Sequence, residues 1–285
     1  MARRIVEAVP NFSEGRNAET LAALATAVER APGVELLDRT ADTDHHRSVL
    51  TFAGEPDAME RAALDLVGVA VERIDLRMHS GVHPRIGACD VLPFVPVSGV
   101  SMDDCAAMAH RAGAEIWERY RVPVYFYERA HPERRKLEAI RNGGLAPDVG
   151  LGRHPTAGAT VVGARQFLIA YNVNLATTDV RVARTIARAI RESSGGMPCV
   201  KALGLYLAAR KQAQVSMNLT DFEVTPLAKV FSAVRDMARE RGVEVAGSEL
   251  IGLIPRRALE GTQALDLRWE NFDESKILEN RLNLE

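Results

Sequence analysis

The sequence predicts an α/β fold of the α+β kind: two subdomains, each with its elements in the order β-α-β-β-α-β. Three observations carry this. Residues 212–219 alternate strictly, Val215, Met217 and Leu219 against Gln214, Ser216 and Asn218, which is the period of a strand with one face buried. Just downstream, Leu227, Val230, Phe231, Val234, Met237 and Ala238 recur at helical spacing. Between them and the N-terminal half lies a glycine- and proline-rich break, Gly143, Gly144, Pro147, Gly150, Gly152, Pro155 and Gly158, and both sides of it read in the same order.

Taken along the chain, residues 4–9 form a strand, and Asn17 caps a helix with Leu21, Leu24, Ala25 and Val28 inward. Residues 34–39 and 48–54 are strands, 56–74 a helix with Met59, Ala63, Leu66 and Ala70 inward, and 90–97 a strand. This is one split βαβ, or ferredoxin-like, order. A helix over 101–119, a strand over 122–127 and a short helix over 132–141 extend it. In the second half, 167–175 is a strand, and Thr178 caps a helix to about residue 193, with Val182, Ala183, Ile186 and Ile190 on one face. Gly195-Gly196 ends that helix. Strands follow at 200–207 and 212–219. Thr225-Pro226 starts the next helix as a cap followed by proline, Gly242 stops it, and 243–250 is the last strand. The tail, 265–285, reads as an amphipathic helix. The domain boundaries are 1–165 and 166–285.

At 285 residues and roughly 150 residues per domain, two domains are expected. Apolar residues are 47% and charged residues 26%, shares that fit packed cores rather than disorder. With 36 Lys+Arg against 38 Asp+Glu, the basic excess of a general nucleic-acid binder is missing. No apolar run approaches the ~18 residues that span a bilayer. The N-terminal stretch is broken by Glu7 and Pro10 and is not a signal peptide. Cys89, Cys105 and Cys199 are odd in number and far apart, so neither a disulfide framework nor a zinc site is expected. The expected setting is the cytoplasm, with no membrane and no nucleic-acid partner.

Several polar patterns carry chemistry. Asn172 and Asn174 share one strand face, and Gln214, Ser216 and Asn218 share another. This is either a solvated sheet face or, being amides and a serine without charges, a surface for a polar small molecule. In His79-Ser-Gly-Val-His83-Pro84-Arg85-Ile-Gly87, Gly81 and Pro84 prevent a helix, so the two histidines do not make a metal pair. A loop histidine there is either bonded to backbone or a general acid/base, which its free pKa of ~6.5 suits. Asp42-Thr-Asp44-His45-His46-Arg47 is either a polar hairpin turn or a group that orients a catalytic residue, with Arg47 able to pair with a carboxylate. Residues 150–158, Gly150-Leu-Gly152-Arg153-His154-Pro155-Thr156-Ala-Gly158, match neither nucleotide-binding glycine pattern, yet a glycine loop with Arg and His can wrap a ligand. No nucleophile elbow or reactive-cysteine setting appears, so covalent catalysis is not expected.

Seven ordered motifs resemble the glutamate formimidoyltransferase (formiminotransferase) family: Val9-Pro-Asn11-Phe-Ser-Glu-Gly15, His83-Pro-Arg85-Ile-Gly87, Val95-Pro-Val-Ser-Gly99, Pro123-Val-Tyr-Phe-Tyr127, Gly163-Ala-Arg165-Gln-Phe-Leu-Ile169 with Asn172 and Asn174, Ala213-Gln214-Val-Ser216-Met-Asn218-Leu219, and Gly247-Ser-Glu-Leu-Ile-Gly-Leu253. The resemblance runs from Ile5 to about Leu259 and does not include a cyclodeaminase half. It implies two subdomains whose sheets face each other across a substrate tunnel, a homodimer, and transfer of a formimino group from N-formimino-L-glutamate to N5 of tetrahydrofolate, in histidine breakdown and without a metal. It puts the catalytic histidine at His83 and the folate loop at Gly150, Gly152, Arg153, His154, Pro155, Thr156 and Gly158. Asn11, Arg47, Arg85, Arg165, Asn172, Asn174, Gln214, Ser216 and Asn218 are the other substrate-binding candidates. The glycine loop is shorter here than in animal relatives, and His46 stands where the family often has Asn. The donor itself, formimino or formyl, is left open by the residues, as is a non-catalytic folate-binding protein.

Overall fold

The computed structural model describes residues 3–43, 45–79 and 84–284. Its contacts divide the chain into two compact units, Met1–Gln166 and Phe167–Glu285. No helix among the described residues is long and apolar enough to cross a membrane.

Unit 1 contains β1 (Ile5–Ala8), β2 (Asn11–Phe12), α1 (Ala18–Glu29), β3 (Val34–Asp42), β4 (Arg47–Gly54), α2 (Pro56–Arg73), β5 (Cys89–Ser98), α3 (Met102–Tyr120), β6 (Val124–Glu128), α4 (Leu137–Arg141) and β7 (Thr160–Ala164). β1 and β2 both lie between β4 and β5, interrupted at Val9-Pro10, where proline has no N–H for the ladder. With β3 on β4, the first four long strands stand in the order β3-β4-β1-β5, all antiparallel. The 101–119 helix begins as read, with Ser101 and Asp104 forming a reciprocal capping box.

Three readings of this half are corrected. The sequence reading gives residues 160–164, which form β7, no element. β7 pairs in parallel with both β5 and β6 and is buried throughout, so it shows a continuous apolar run and no alternation. β2 was not separated from the segment around it. The short helix covers only Leu137–Arg141 rather than 132–141. The core lies between the helices and one sheet face, with Val6, Phe12, Leu24, Phe52, Met59, Phe94, Met108 and Ile116 in it.

Unit 2 contains β8 (Ile169–Leu175), α5 (Val180–Ile190), β9 (Val200–Leu207), β10 (Gln212–Leu219), α6 (Leu227–Arg239) and β11 (Val245–Ile251), with a short α7 (Leu278–Leu282) in the tail. The sheet is antiparallel in the order β11-β8-β10-β9, the ferredoxin-like arrangement. Ile169, Tyr171, Val173, Val215, Met217 and Leu219 are buried on the face that α5 and α6 cover.

Cap assignments change at both helices. Asp179, not Thr178, caps α5 by accepting from the Arg181 amide. Pro226 occupies the cap position of α6, and the Thr225 hydroxyl instead donates to the Pro198 carbonyl at 2.6 Å. The tail does not form one long amphipathic helix. Around Trp269 it runs parallel to β11, with Ser248 N–H donating to Arg268 O at 2.8 Å and Glu270 N–H to Ser248 O at 2.9 Å. An open sheet edge offers unpaired N–H and C=O groups, and the tail takes them up.

Candidate active site

A cavity of about 800 Å³ in unit 1 opens where the two sequence loops meet. Leu76, Arg77, His79, Arg85 and Ile86 line it from one side, and Arg153, His154, Pro155, Thr156 and Gly158 from the other. The loops are tied by backbone. Leu76 N–H donates to Thr156 O, Ala88 N–H to Ala157 O and Ala159 N–H to Ile86 O, each at 2.9 Å. Glycine is required at this seam: a Cβ on Gly87 would lie 1.8 Å from the Ala159 carbonyl oxygen, and one on Gly158, at φ +71°, 2.2 Å from that of Ile86.

The polar lining is cationic. Arg77, Arg85, Arg153, His79 and His154 face the cavity, and among the described residues no carboxylate lines it. Arg77 is already forked onto Asp75. The His154 Nδ1 accepts from the amides of Ala157 at 3.0 Å and Thr156 at 3.3 Å, while the backbone of His154 and Gly158 exchanges two hydrogen bonds. The neutral ring therefore carries its proton on Nε2, and His154 is a turn-former as well as a wall.

His83 lies outside the described residues, as does Asp44 of the hairpin cluster. His79 is described. Its Nε2 lies 3.0 Å from the His46 carbonyl oxygen, so that nitrogen is the donor. Its 3.4 Å approach to Arg85 Nη1 is then a contact of two donors rather than a hydrogen bond. His79 Nδ1 is buried without a partner among the described residues. The His46 ring lies 3.9 Å from the His79 ring, centroid to centroid, and its Nδ1 accepts from Gly15 N–H at 3.2 Å. Burial lowers the His46 pKa, helped by Arg16 and Arg85 and opposed by Glu14, which matches a neutral acceptor.

A smaller recess shares Arg85 with the cavity and is lined also by Phe12, Ser13, His45, His46, Arg47 and Asp90. Arg47 Nε donates to Asn11 Oδ1 at 2.9 Å, and Asn11 in turn donates to Val9 O. Burial lowers the Arg47 guanidinium to about 10, against the pull of Asp90 and with Arg141 adding to the fall.

The remaining candidates lie elsewhere. Gly150 packs against the Trp117 ring, and Gly152 has open space where a side chain would be; neither lines the cavity. Arg165, at the end of β7, stands near Glu7 and Tyr127 and donates to the Gln166 carbonyl. In unit 2, Asn174 and Gln214 are bonded to each other at 2.9 Å. Asn174 also donates to Glu270 at 2.8 Å, and Arg210 closes the set on Glu249 and Glu270 at 2.6 and 2.7 Å. That face, read as uncharged, therefore carries two carboxylates and an arginine. Asn172, Ser216 and Asn218 make no side-chain hydrogen bond among the described residues. Sequence reasoning missed Asp90 and Glu7. The only signal for Glu7 was a lone charge inside an apolar strand; Asp90 had none, because its partners are set by folding.

Two family models match the chain: the formiminotransferase domain's N-terminal subdomain over residues 5–165 and the formiminotransferase domain over residues 170–277. The chain is 42% identical to the glutamate formimidoyltransferase of Streptococcus pyogenes serotype M1, an alignment that covers 98% of this chain and 99% of that protein. It is 39% identical to the glutamate formimidoyltransferase of Thermoplasma acidophilum, over 98% and 97%. It is 43% identical to the formimidoyltransferase-cyclodeaminase of Rattus norvegicus, over 90% of this chain and 51% of that protein.

Proposed function

The chain belongs to the formiminotransferase family, and on that premise we propose that it transfers the formimino group of N-formimino-L-glutamate to N5 of tetrahydrofolate, releasing L-glutamate. The observation that carries this reading is the cavity between Leu76–His79 with Arg85–Ile86 and the Arg153–Gly158 segment, with arginine and histidine on its walls and no carboxylate among the described lining residues. Both substrates are carboxylate anions, and guanidinium forks receive carboxylates in a fixed orientation.

The chemistry asks little else of the protein. N5 attacks the amidine carbon and must lose a proton; the glutamate nitrogen leaves and must gain one. His83, one residue before Pro84 and two before the cavity residue Arg85, is assigned both transfers, worth roughly 10²–10⁴-fold. Holding the two substrates in contact supplies much of the remainder. Arg85 and Arg153 are assigned to substrate carboxylates, and Asn172, Ser216 and Asn218 are kept as polar substrate contacts. The enzyme is assigned to histidine breakdown in the cytoplasm, as a homodimer. A light-scattering mass near the 31.1 kDa monomer would contradict the dimer.

The test is an assay with tetrahydrofolate and each donor in turn. Formimino transfer gives 5-formiminotetrahydrofolate, which acid converts to an absorbing methenyl form. Product from N-formimino-L-glutamate is expected. Product from N-formyl-L-glutamate alone, or from neither, would overturn the reading.

A further inference from the structure

Asp90 lies at the start of β5 with 3% of its surface exposed, and none of the chemistry above uses it. One carboxylate oxygen accepts from the backbone N–H of Ile86 at 2.7 Å and of Gly87 at 3.4 Å. The other accepts from Arg141 Nη2 at 2.5 Å. Its charge also favours the cationic forms of Arg47 and Arg85 against the cost of burying them. A single buried carboxylate is therefore shared by a stretch of backbone and three guanidinium groups.

That backbone is the hinge of the site. Ile86 and Gly87 follow directly on Arg85, which lines both the cavity and the recess. They are also held from the far side, by the Ser13 hydroxyl on the Gly87 carbonyl at 2.8 Å and by the Ala159 amide on the Ile86 carbonyl. Without the Asp90 acceptor, two buried amides would lose their partner, and the end of the segment next to Arg85 would be the one released. The same carboxylate offsets part of the positive charge around the recess. Removing it should strengthen the attraction for anions while loosening their alignment.

We propose that Asp90 is a positioning residue for the transfer reaction, fixing the Ile86–Gly87 backbone and the Arg47–Arg85–Arg141 cluster so that a bound anionic substrate meets the reacting groups in register. This rests on the proposed function. The two effects separate it from a merely structural role, because together they lower kcat without raising KM.

Asp90→Asn keeps an acceptor for the Ile86 amide but removes the charge and turns an NH₂ toward Arg141. We expect kcat to fall at least tenfold, with KM for tetrahydrofolate and N-formimino-L-glutamate unchanged or lower. Asp90→Asn with Arg141→Gln restores a neutral pair and should recover most of kcat. A structural role alone predicts both KM values rising with the loss of kcat and no recovery in the double variant; that result overturns the proposal, as does wild-type kcat in Asp90→Asn. If Asp90→Asn does not fold, Arg141→Gln alone decides. It should lower kcat severalfold, and wild-type constants in it would count against the proposal. Titration of the intact wild-type protein with 5-formyltetrahydrofolate in the absence of glutamate, so that no acceptor is present, keeps the two claims apart. A wild type that neither binds it nor turns over brings down the functional reading and Asp90's role with it. Wild-type binding with an unaffected Asp90→Asn brings down only the latter.

Discussion

The two units repeat one topology and use it differently. β3-β4-β1-β5 in unit 1 and β9-β10-β8-β11 in unit 2 place the first strand between the third and the fourth, with helices on one face. The difference is on the other face. In unit 2 the central strand carries Asn174, which is buried and fully engaged: Gln214 donates to it, it donates to Glu270, and Arg210 holds Glu270 and Glu249. Gly247 makes room for this, since a Cβ there would meet the Glu270 carboxylate at 2.0 Å. In unit 1 the central strand carries Glu7, opposite Ala53 and Val95. It is 1% exposed, and neither oxygen has a hydrogen-bond partner among the described residues. Burial pushes its carboxyl up to about 7, against the pull of Arg165. A closed polar network fixes a fold; an unpaired buried group costs stability and tends to persist where function uses it. The comparison sets the closed Asn174 network of unit 2 apart from Glu7 of unit 1, a buried carboxyl without a hydrogen-bond partner among the described residues.

The largest effect belongs to the histidines. His83→Ala should lower kcat by roughly two to four orders of magnitude with little change in KM, and cost under about 1 kcal/mol of stability. His79→Ala should cost far less activity, because its ring is engaged with the His46 carbonyl. Steady-state kinetics of the pair decides it; the reverse ranking would break the assignment of chemistry to His83.

Next is Glu7. With its folded pKa near 7 and an unfolded value of 4.5, the folded state binds the extra proton between those values. The contribution is fully present below about pH 4.5 and is lost as the pH rises through 7, by about 3 kcal/mol. Glu7→Gln cannot ionise, so its urea midpoint should exceed wild type at pH 8 and match it near pH 4.5. Equal midpoints at both pH values would remove the contrast between the units.

Asn174→Ala strips buried partners from Gln214 and Glu270 and should cost about 1–3 kcal/mol. Its kcat per folded molecule should stay near wild type; a catalytic defect in a stably folded Asn174→Ala would make unit 2's network part of the machinery. The smallest effects belong to the glycine loop. Arg153→Ala should raise KM for tetrahydrofolate severalfold with an unchanged thermal midpoint. Adding His154→Ala should lower that midpoint by a few degrees, since its Nδ1 holds two amides. Unchanged KM in both would remove the loop from the folate site.

Patterns local in sequence were legible, and those made by distant residues were not. The alternation of 212–219 located β10 to the residue, and the start of α3 was read at Ser101, its cap. β7 escaped because a parallel strand buried on both faces has no polar period. The tail escaped because its extended pairing depends on the free edge of β11. At the site, the two loops of the cavity were legible as loops with Arg and His, but their union was not. The chemical character of Asn174 and Gln214 could be read, whereas their engagement depended on Glu270, 96 residues from Asn174. Asp90 meets Arg141 across 51 residues, a pairing no local pattern announces.

The contrast between the units can be measured without a catalytic assay. Carboxyl ¹³C NMR of the wild-type protein, followed from pH 4 to 9 with Glu7→Gln to assign the resonance, reads the state of Glu7 directly. An unpaired buried carboxyl in unit 1 predicts one glutamate titrating near pH 7 that disappears in the variant. If every glutamate carboxyl titrates below about pH 5, Glu7 is paired or solvated, and its setting is no different in kind from the closed network of unit 2.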